Sequence, residues 1–244
     1  TFDGQAFFFT DHLIEGHKIL PGVAYLEMAL AATRLALNAP NGAVCIRNVV
    51  WVKPVEVDKD PLQVHLSFDI EGDETLTYSV YSNAEGKEDS RTEYSQGLVS
   101  LLAQEEAAHI DLEALRSRLS EELMSAEQCY AYFDSINMVY GPGHRGVRSI
   151  YGDGHNGPEV LGELVLPPHL HETLNDYSLH PSLLDSALQV IVGLALGSEQ
   201  KSPSLPFALD EICIRGEFSQ RMWSWVRYSS GYDQYSVLQK FDVD

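Results

Sequence analysis

Two segments, 21–38 and 183–196, read as strongly apolar helices, and they constrain the fold more than anything else in the chain. Pro21 suits the opening position of the first. Val23, Leu26, Leu30 and Leu37 form one of its faces and Ala24, Met28, Ala31 and Leu35 another, leaving a narrow charged stripe of Glu27 and Arg34. A helix apolar round most of its circumference has to be wrapped by other structure, which makes it central.

The wrapping material is at hand. Segments 43–57, 62–70, 75–81 and 92–102 are rich in Val, Tyr and Thr, are separated by Pro, Asp and Gly, and predict an antiparallel sheet. Segment 104–126 interleaves acidic residues with leucines and predicts a helical connector with a solvated face. A short helix is expected at 127–136, and strands at 147–151, 160–165, 211–215, 222–228 and 235–243. Two units of similar plan follow, at 1–104 and 126–244, joined by 105–125, although no repeat is visible from identity. The chain opens at Thr1 without Met and stops at Asp244 inside a strand-like segment, so it reads as part of something larger, with its second unit incomplete at the end.

Charge narrows the partners. Sixteen Lys plus Arg stand against 36 Asp plus Glu in 244 residues, a formal charge of -20, which repels nucleic acid and anionic membranes. Lys18, Arg145 and Arg148 are the candidates for a local basic patch. Cys45, Cys129 and Cys213 are widely spaced among apolar neighbours and read as small buried hydrophobes in a reducing, cytoplasmic setting. No apolar stretch approaches the roughly 20 residues that span a bilayer.

Two frames carry candidate chemistry: His12-Leu-Ile-Glu-Gly16-His-Lys-Ile-Leu20-Pro21-Gly22, and His180-Pro181-Ser-Leu-Leu-Asp185-Ser-Ala-Leu-Gln189. His12 reads either as a structural histidine bonded to Asp11 or a carbonyl, or as a base beside glycines and a helix N-terminus whose amides hold a developing oxyanion. Asp185 and Gln189 share one helix face among leucines. Ser182-x-x-Asp185 also matches a capping box, which would make the carboxylate a helix-end device. Tyr140-Gly141-Pro142-Gly143-His144 sets a phenol beside a tight turn. Metal binding by His12, His17 and Asp185 is disfavoured, because the two histidines lack the four-residue spacing of a helical ligand pair.

Taken together, these segments resemble the dehydratase domains of modular polyketide synthases, over essentially the whole chain. His12, Gly16 and Pro21 match the family's HxxxGxxxxP motif, and His180, Pro181, Leu183, Leu184, Asp185 and Gln189 match HPxLLDxxxQ. GYxYGPxF is met in part: Asn137 and Met138 replace Gly and Tyr, Tyr140-Gly141-Pro142 match, and His144 stands where Phe is usual, a departure similar to branches whose acyltransferase acts in trans. Leu205-Pro206-Phe207 resembles the family's LPF element.

The resemblance implies an α+β double hotdog, two sheets each wrapped round a long helix, that removes water from a 3-hydroxyacyl thioester. The substrate rides on the phosphopantetheine arm of an acyl carrier protein, and the domain itself binds no cofactor or metal. His12 takes the role of base, and Asp185, raised in pKa by its leucines, the role of acid. Gln189 orients Asp185, Tyr140 donates nearby, and the Gly22 amide steadies the enolate-like oxygen. Gly16, Leu20, Pro21, Gly141, Pro142 and His144 complete the site. Neighbouring synthase domains and a second copy in a homodimer are the other implied partners. Enoyl isomerisation, oxa-Michael cyclisation and a non-catalytic carrier-binding scaffold are the rival readings, and a hotdog thioesterase is distinguished by releasing free acid.

Overall fold

The computed structural model describes residues 1–38, 43–58, 60–71, 75–83, 90–101, 109–154, 157–196 and 205–244. In chain order the elements are α1 (Phe7–Thr10), β1 (His12–Ile14), β2 (His17–Lys18), α2 (Gly22–Ala36), β3 (Val44–Trp51), β4 (His65–Glu71), β5 (Thr75–Asn83), β6 (Arg91–Leu101), α3 (Leu112–Arg118), β7 (Glu121–Ser125), α4 (Ala126–Ser135), β8 (Met138–Tyr140), β9 (Val147–Gly152), β10 (Glu159–Val165), α5 (Pro181–Gln189), β11 (Ala208–Ile214), β12 (Arg221–Tyr228) and β13 (Phe241–Val243). Short 3-10 segments occupy Pro142–His144, Pro168–Asp176 and Val190–Ala195.

Two five-stranded sheets form the body, ordered β11-β3-β6-β5-β4 and β13-β12-β10-β9-β7, with every pairing antiparallel. Helix α2 packs on the first sheet and α5 on the second, and the two helices touch. This is the α+β double hotdog expected from the sequence. Tyr25, Leu30, Ile46 and Tyr78 anchor one core; Ile150, Leu164, Leu183 and Val190 anchor the other. Complete burial of a side chain such as Leu30 contributes about 1.5–3 kcal/mol.

The apolar wrap of α2 holds for its first three turns and then ends. Val23, Ala24, Tyr25, Leu26, Ala29 and Leu30 are buried, whereas Leu35 is 83% exposed and Leu37 also faces outward. Helix α5 is shorter than predicted, tightening after Gln189 into the 3-10 segment Val190–Ala195. There it lies so close to β10 that a Cβ on Gly162 would sit 2.2 Å from Val190 Cγ2.

Three expectations change. Among the described residues of the predicted helical connector, Leu112–Arg118 is helical but Glu121–Ser125 forms the edge strand of the second sheet, with Met124 inward and Glu121 and Glu122 outward. Residues 102–108 lie outside the described part. The strand expected at 235–243 shrinks to Phe241–Val243, because the Asp233 carboxylate accepts from the Tyr235 amide and the Ser236 hydroxyl and holds a turn there. The boundary between units is also crossed by the chain: β11, late in sequence, pairs with β3 in the first sheet, and β8 pairs with β1.

Candidate active site

The site begins with a two-residue hairpin. Glu15 and Gly16, both at positive φ (52° and 85°), turn β1 into β2 and pair Ile14 with His17. Positive φ at both turn positions is the geometry that matches strand twist, and glycine takes it without a Cβ clash. Gly16 is itself exposed, so it serves the turn and not the wall. The returning strand sets Ile19 against His12: the Ile19 N–H donates to the His12 carbonyl at 3.3 Å, and His12 Nδ1 lies 2.8 Å from the Ile19 carbonyl oxygen. A ring nitrogen facing a carbonyl carries the proton, so in the neutral ring Nε2 is left with the free lone pair. His12 is 5% exposed, and burial above all holds its pKa below the ordinary value; the neighbouring His144 works the same way and Asp185 opposes.

Strand pairing then sets Tyr140 directly across from His12. Asp11 makes no bond to His12. Its carbonyl accepts the Gly141 N–H at 2.8 Å and its Oδ2 accepts the Gly143 N–H at 2.6 Å, clamping the Gly141-Pro142-Gly143 turn. Pro142 opens the 3-10 turn that swings His144 inward, where its ring centre lies 5.5 Å from that of His12 and 5.6 Å from that of Phe7.

Helix α5 carries Asp185. Its N-cap is His180 with Pro181 at the first position, no side chain caps it, and the Ser182 hydroxyl is buried without a partner, so the capping-box reading of Ser182 and Asp185 does not hold. Asp185 is 7% exposed. Its Oδ2 accepts two hydrogen bonds, from Gln189 Nε2 at 2.8 Å and His144 Nδ1 at 3.1 Å; among the described residues none bonds Oδ1. Gln189 Nε2 also reaches the His144 carbonyl at 3.0 Å, and its Oε1 accepts from the Tyr130 hydroxyl at 3.1 Å.

Burial alone pushes the Asp185 carboxyl upward, as the sequence suggested. The hydrogen bond and charge of His144, the charge of His12 and the Gln189 amide together outweigh it and hold the pKa below the usual carboxylate value. This corrects the expectation of a raised acid. Tyr140 is buried and held well above its ordinary pKa, chiefly by burial, so it stays a hydroxyl donor.

The remaining predicted residues divide. Leu20 is buried with its N–H on the Val55 carbonyl, and Pro21 is the N-cap of α2. Gly22 opens that helix, its carbonyl accepts from Trp51 Nε1 at 3.0 Å, and its amide belongs to the first-turn N–H groups that lack intrahelical acceptors. His17 is exposed and bonds Glu56, away from the pair. The basic-patch candidates are committed elsewhere: Lys18 to the Gly4 carbonyl, Arg145 to the Tyr140 carbonyl, Arg148 beside Glu163.

Sequence reasoning missed three supporting groups. Tyr130 on α4 joins Gln189 to the backbone N–H of Val147, and no local signal marks it. Asp11 clamps the turn. Glu27, read only as part of a narrow charged stripe, is buried and accepts the N–H groups of Ser178 and Leu179 just ahead of His180. Its helical neighbours Val23 and Leu30 are apolar, which was the available clue. Cys45 and Cys213 also prove to be partners, opposite one another on β3 and β11 with sulfurs 2.7 Å apart; the nearby Glu211 is already paired with Arg47. A concavity of about 400 Å³ on the outer face of α4 is lined by Tyr130, Asp134 and Arg145, and touches neither His12 nor Asp185.

The His12 imidazole and the Asp185 carboxyl thus both lie against the His144 ring. Two family profiles match the chain: "Polyketide synthase dehydratase domain" over residues 1–83 and "Polyketide synthase dehydratase N-terminal domain" over residues 107–237. The polyketide synthases PksM and PksN of Bacillus subtilis (strain 168) are 34% and 35% identical over 100% of this chain, which spans 6% and 4% of their lengths. A trans-AT PKS dehydratase domain from Brevibacillus brevis is 39% identical with a TM-score of 0.90, covering 100% of this chain and 85% of that one. The dehydratase domain from the CurF module of curacin polyketide synthase shares the fold at 20% identity and a TM-score of 0.82, over 97% of this chain and 81% of that one. The chain belongs to the polyketide synthase dehydratase domains.

Proposed function

We propose that the domain converts a 3-hydroxyacyl thioester, presented on the phosphopantetheine arm of an acyl carrier protein, into an enoyl thioester and water, with His12 as base and Asp185 as acid. The observation that carries this reading is the pairing of His12, locked through Nδ1 so that Nε2 is basic, with an Asp185 carboxyl whose Oδ1 is unengaged, both against the His144 ring. His12 Nε2 takes the proton from the carbon next to the thioester carbonyl. The electron pair left behind forms the carbon–carbon double bond as the C3–O bond breaks, and the Asp185 proton goes to the departing hydroxyl, which leaves as water.

The productive form holds one proton on this pair, on Asp185 and not on His12. The lowered pKa of His12 favours that placement and the lowered pKa of Asp185 opposes it. Gln189 fixes the carboxyl, Tyr140 lends a hydroxyl to the departing oxygen, and the Gly22 amide at the start of α2 steadies the enolate-like oxygen. Gly16, Leu20 and Pro21 hold the hairpin and the helix start, while Gly141 and Pro142 form the turn that carries His144. The carrier protein and neighbouring synthase domains are the partners, and a second copy completes a homodimer. The intact Asp185 favours dehydration over double-bond migration, because removal of a hydroxyl needs an acid.

Incubation with a 3-hydroxyacyl carrier protein tests this by intact mass. The expected product stays attached to the carrier and is lighter by one water. A free acid, or an unchanged mass, would refute the assignment.

A further inference from the structure

Where the family motif has Phe, this chain has His144, and the ring is neither exposed nor idle. It is fully buried, donates from Nδ1 to Asp185 Oδ2 at 3.1 Å, and leaves Nε2 buried without a hydrogen-bond partner. Such a buried polar atom is costly and a phenyl ring in its place would not incur that cost, so the imidazole has to be explained by what Nδ1 does.

Resting on the dehydratase reading above, we propose that His144 is a positioning residue that assigns the two oxygens of Asp185 separate tasks and sets the pH at which the acid works. Oδ2 is saturated by His144 Nδ1–H and Gln189 Nε2–H, both donors, so a proton on the carboxyl resides on Oδ1, the oxygen that no described residue engages. Gln189 is itself held by the His144 carbonyl and the Tyr130 hydroxyl. Residue 144 therefore touches Asp185 twice, once directly by its ring and once through the Gln189 amide. The turn that delivers it is fastened by Asp11, which ties the carboxyl's orientation to the strand bearing His12.

The consequence for pH follows from the proton count. With one proton shared by His12 and Asp185, the optimum lies midway between their two pKa values. A donor on Oδ2 stabilises the carboxylate and draws the optimum down. The titratable groups facing Asp185 are His12 of β1, His144 of the 3-10 turn, Tyr140 of β8 and Tyr130 of α4.

The test compares the parent domain with His144→Phe, which restores the family's usual residue, and His144→Gln, which can still donate to Oδ2 but carries no charge. The kcat/KM for dehydration is followed from pH 5 to 9 on one 3-hydroxyacyl carrier protein. The optimum is expected to move to higher pH in His144→Phe and to return toward that of the parent in His144→Gln. A purely structural role lowers the whole profile without displacing it, so a His144→Phe optimum that coincides with the parent's overturns the proposal. Absence of dehydration in the parent overturns the functional reading instead.

Discussion

The Glu27 carboxylate accepts the Leu179 backbone N–H at 2.6 Å and that of Ser178 at 2.9 Å, tying the central helix of the first unit to the residues that lead into the Asp185 helix of the second. The frame that aims Asp185 thus depends on a side chain 158 positions earlier by sequence number, 185 minus 27. Truncation of Glu27 to Ala leaves the buried Leu179 amide and the part-buried Ser178 amide without acceptors and is expected to lower stability by about 2 kcal/mol, read by urea denaturation. Burial raises the pKa of Glu27 above the carboxylate norm. Its folded-state proton is held more tightly than in the unfolded chain, so the stability it contributes is fully present below the normal carboxylate pKa and is lost as pH rises through the raised value. Glu27→Gln should abolish that part of the pH dependence; identical slopes for both proteins would show that the group does not titrate as described.

His12→Ala and Asp185→Asn are each expected to slow dehydration by about 10²–10⁴-fold, the range for loss of one positioned proton-transfer group. Both side chains are nearly buried, so each variant is first checked for an unchanged melting curve. The double variant should lose little beyond the worse single one, because base and acid serve the same step.

His180 reports on stability in acid. Buried and stacked on Phe7 at 5.9 Å, with Nε2 on Thr173 Oγ1, it has its pKa lowered to about 4, first by burial and then by His144. The unfolded chain binds this proton from about pH 6.5 downward and the folded protein only near 4. Stability is therefore full above 6.5 and falls as pH drops through that window, by about 3 kcal/mol at its end. Chemical denaturation at pH 7.5 and 4.5 checks this: the loss between the two should shrink in His180→Asn.

Tyr130→Phe removes the hydroxyl that donates to Gln189 and accepts from the Val147 N–H at 2.9 Å. Two buried partners lose a bond, and a cost of about 1–3 kcal/mol is expected in thermal or urea unfolding. The accompanying fall in kcat, with KM little changed, would mark Tyr130 as a support of the Asp185 carboxyl; a change in KM alone would argue for substrate contact.

Gly16→Val places a branched side chain at φ 85° in the β1–β2 turn. The strain is expected to cost about 1–3 kcal/mol. Because that turn returns Ile19 to His12 Nδ1, the rate should fall as well, although Gly16 faces solvent. Normal turnover in a destabilised Gly16→Val would show that the Ile19 carbonyl is dispensable.

The apolar helices made the architecture legible, since a helix with Val23, Leu26 and Leu30 on one side and Ala24, Met28 and Ala31 on another has few places to go. The proposed base and acid, His12 and Asp185, stand out in the sequence because each sits in a frame of Gly and Pro or of leucines that restricts its surroundings. What escaped was set by contacts remote in sequence. The pKa direction of Asp185 depends on an imidazole 41 positions away, which local leucines do not reveal. The burial of Glu27 depends on amides 151 and 152 positions away. The pairing of Cys45 with Cys213 required the register of β3 against β11, which no spacing rule supplies. The lost strand at 235–240 had an apolar pattern but also Asp233, whose side chain favoured a turn.

The pairing of β11 with β3 bears on how the molecule is made. During synthesis the amino-terminal half emerges with the hydrogen-bonding groups of Val44–Trp51 unmatched along one border, and the segment that covers them, Ala208–Ile214, is translated more than 150 residues later. A bare border of this kind is prone to adhere to other chains. Ribosome-bound intermediates ending before residue 208 should accordingly need chaperone shielding, and a version cut at the connector into two co-expressed halves should recover solubility only when the second half is present to close that border.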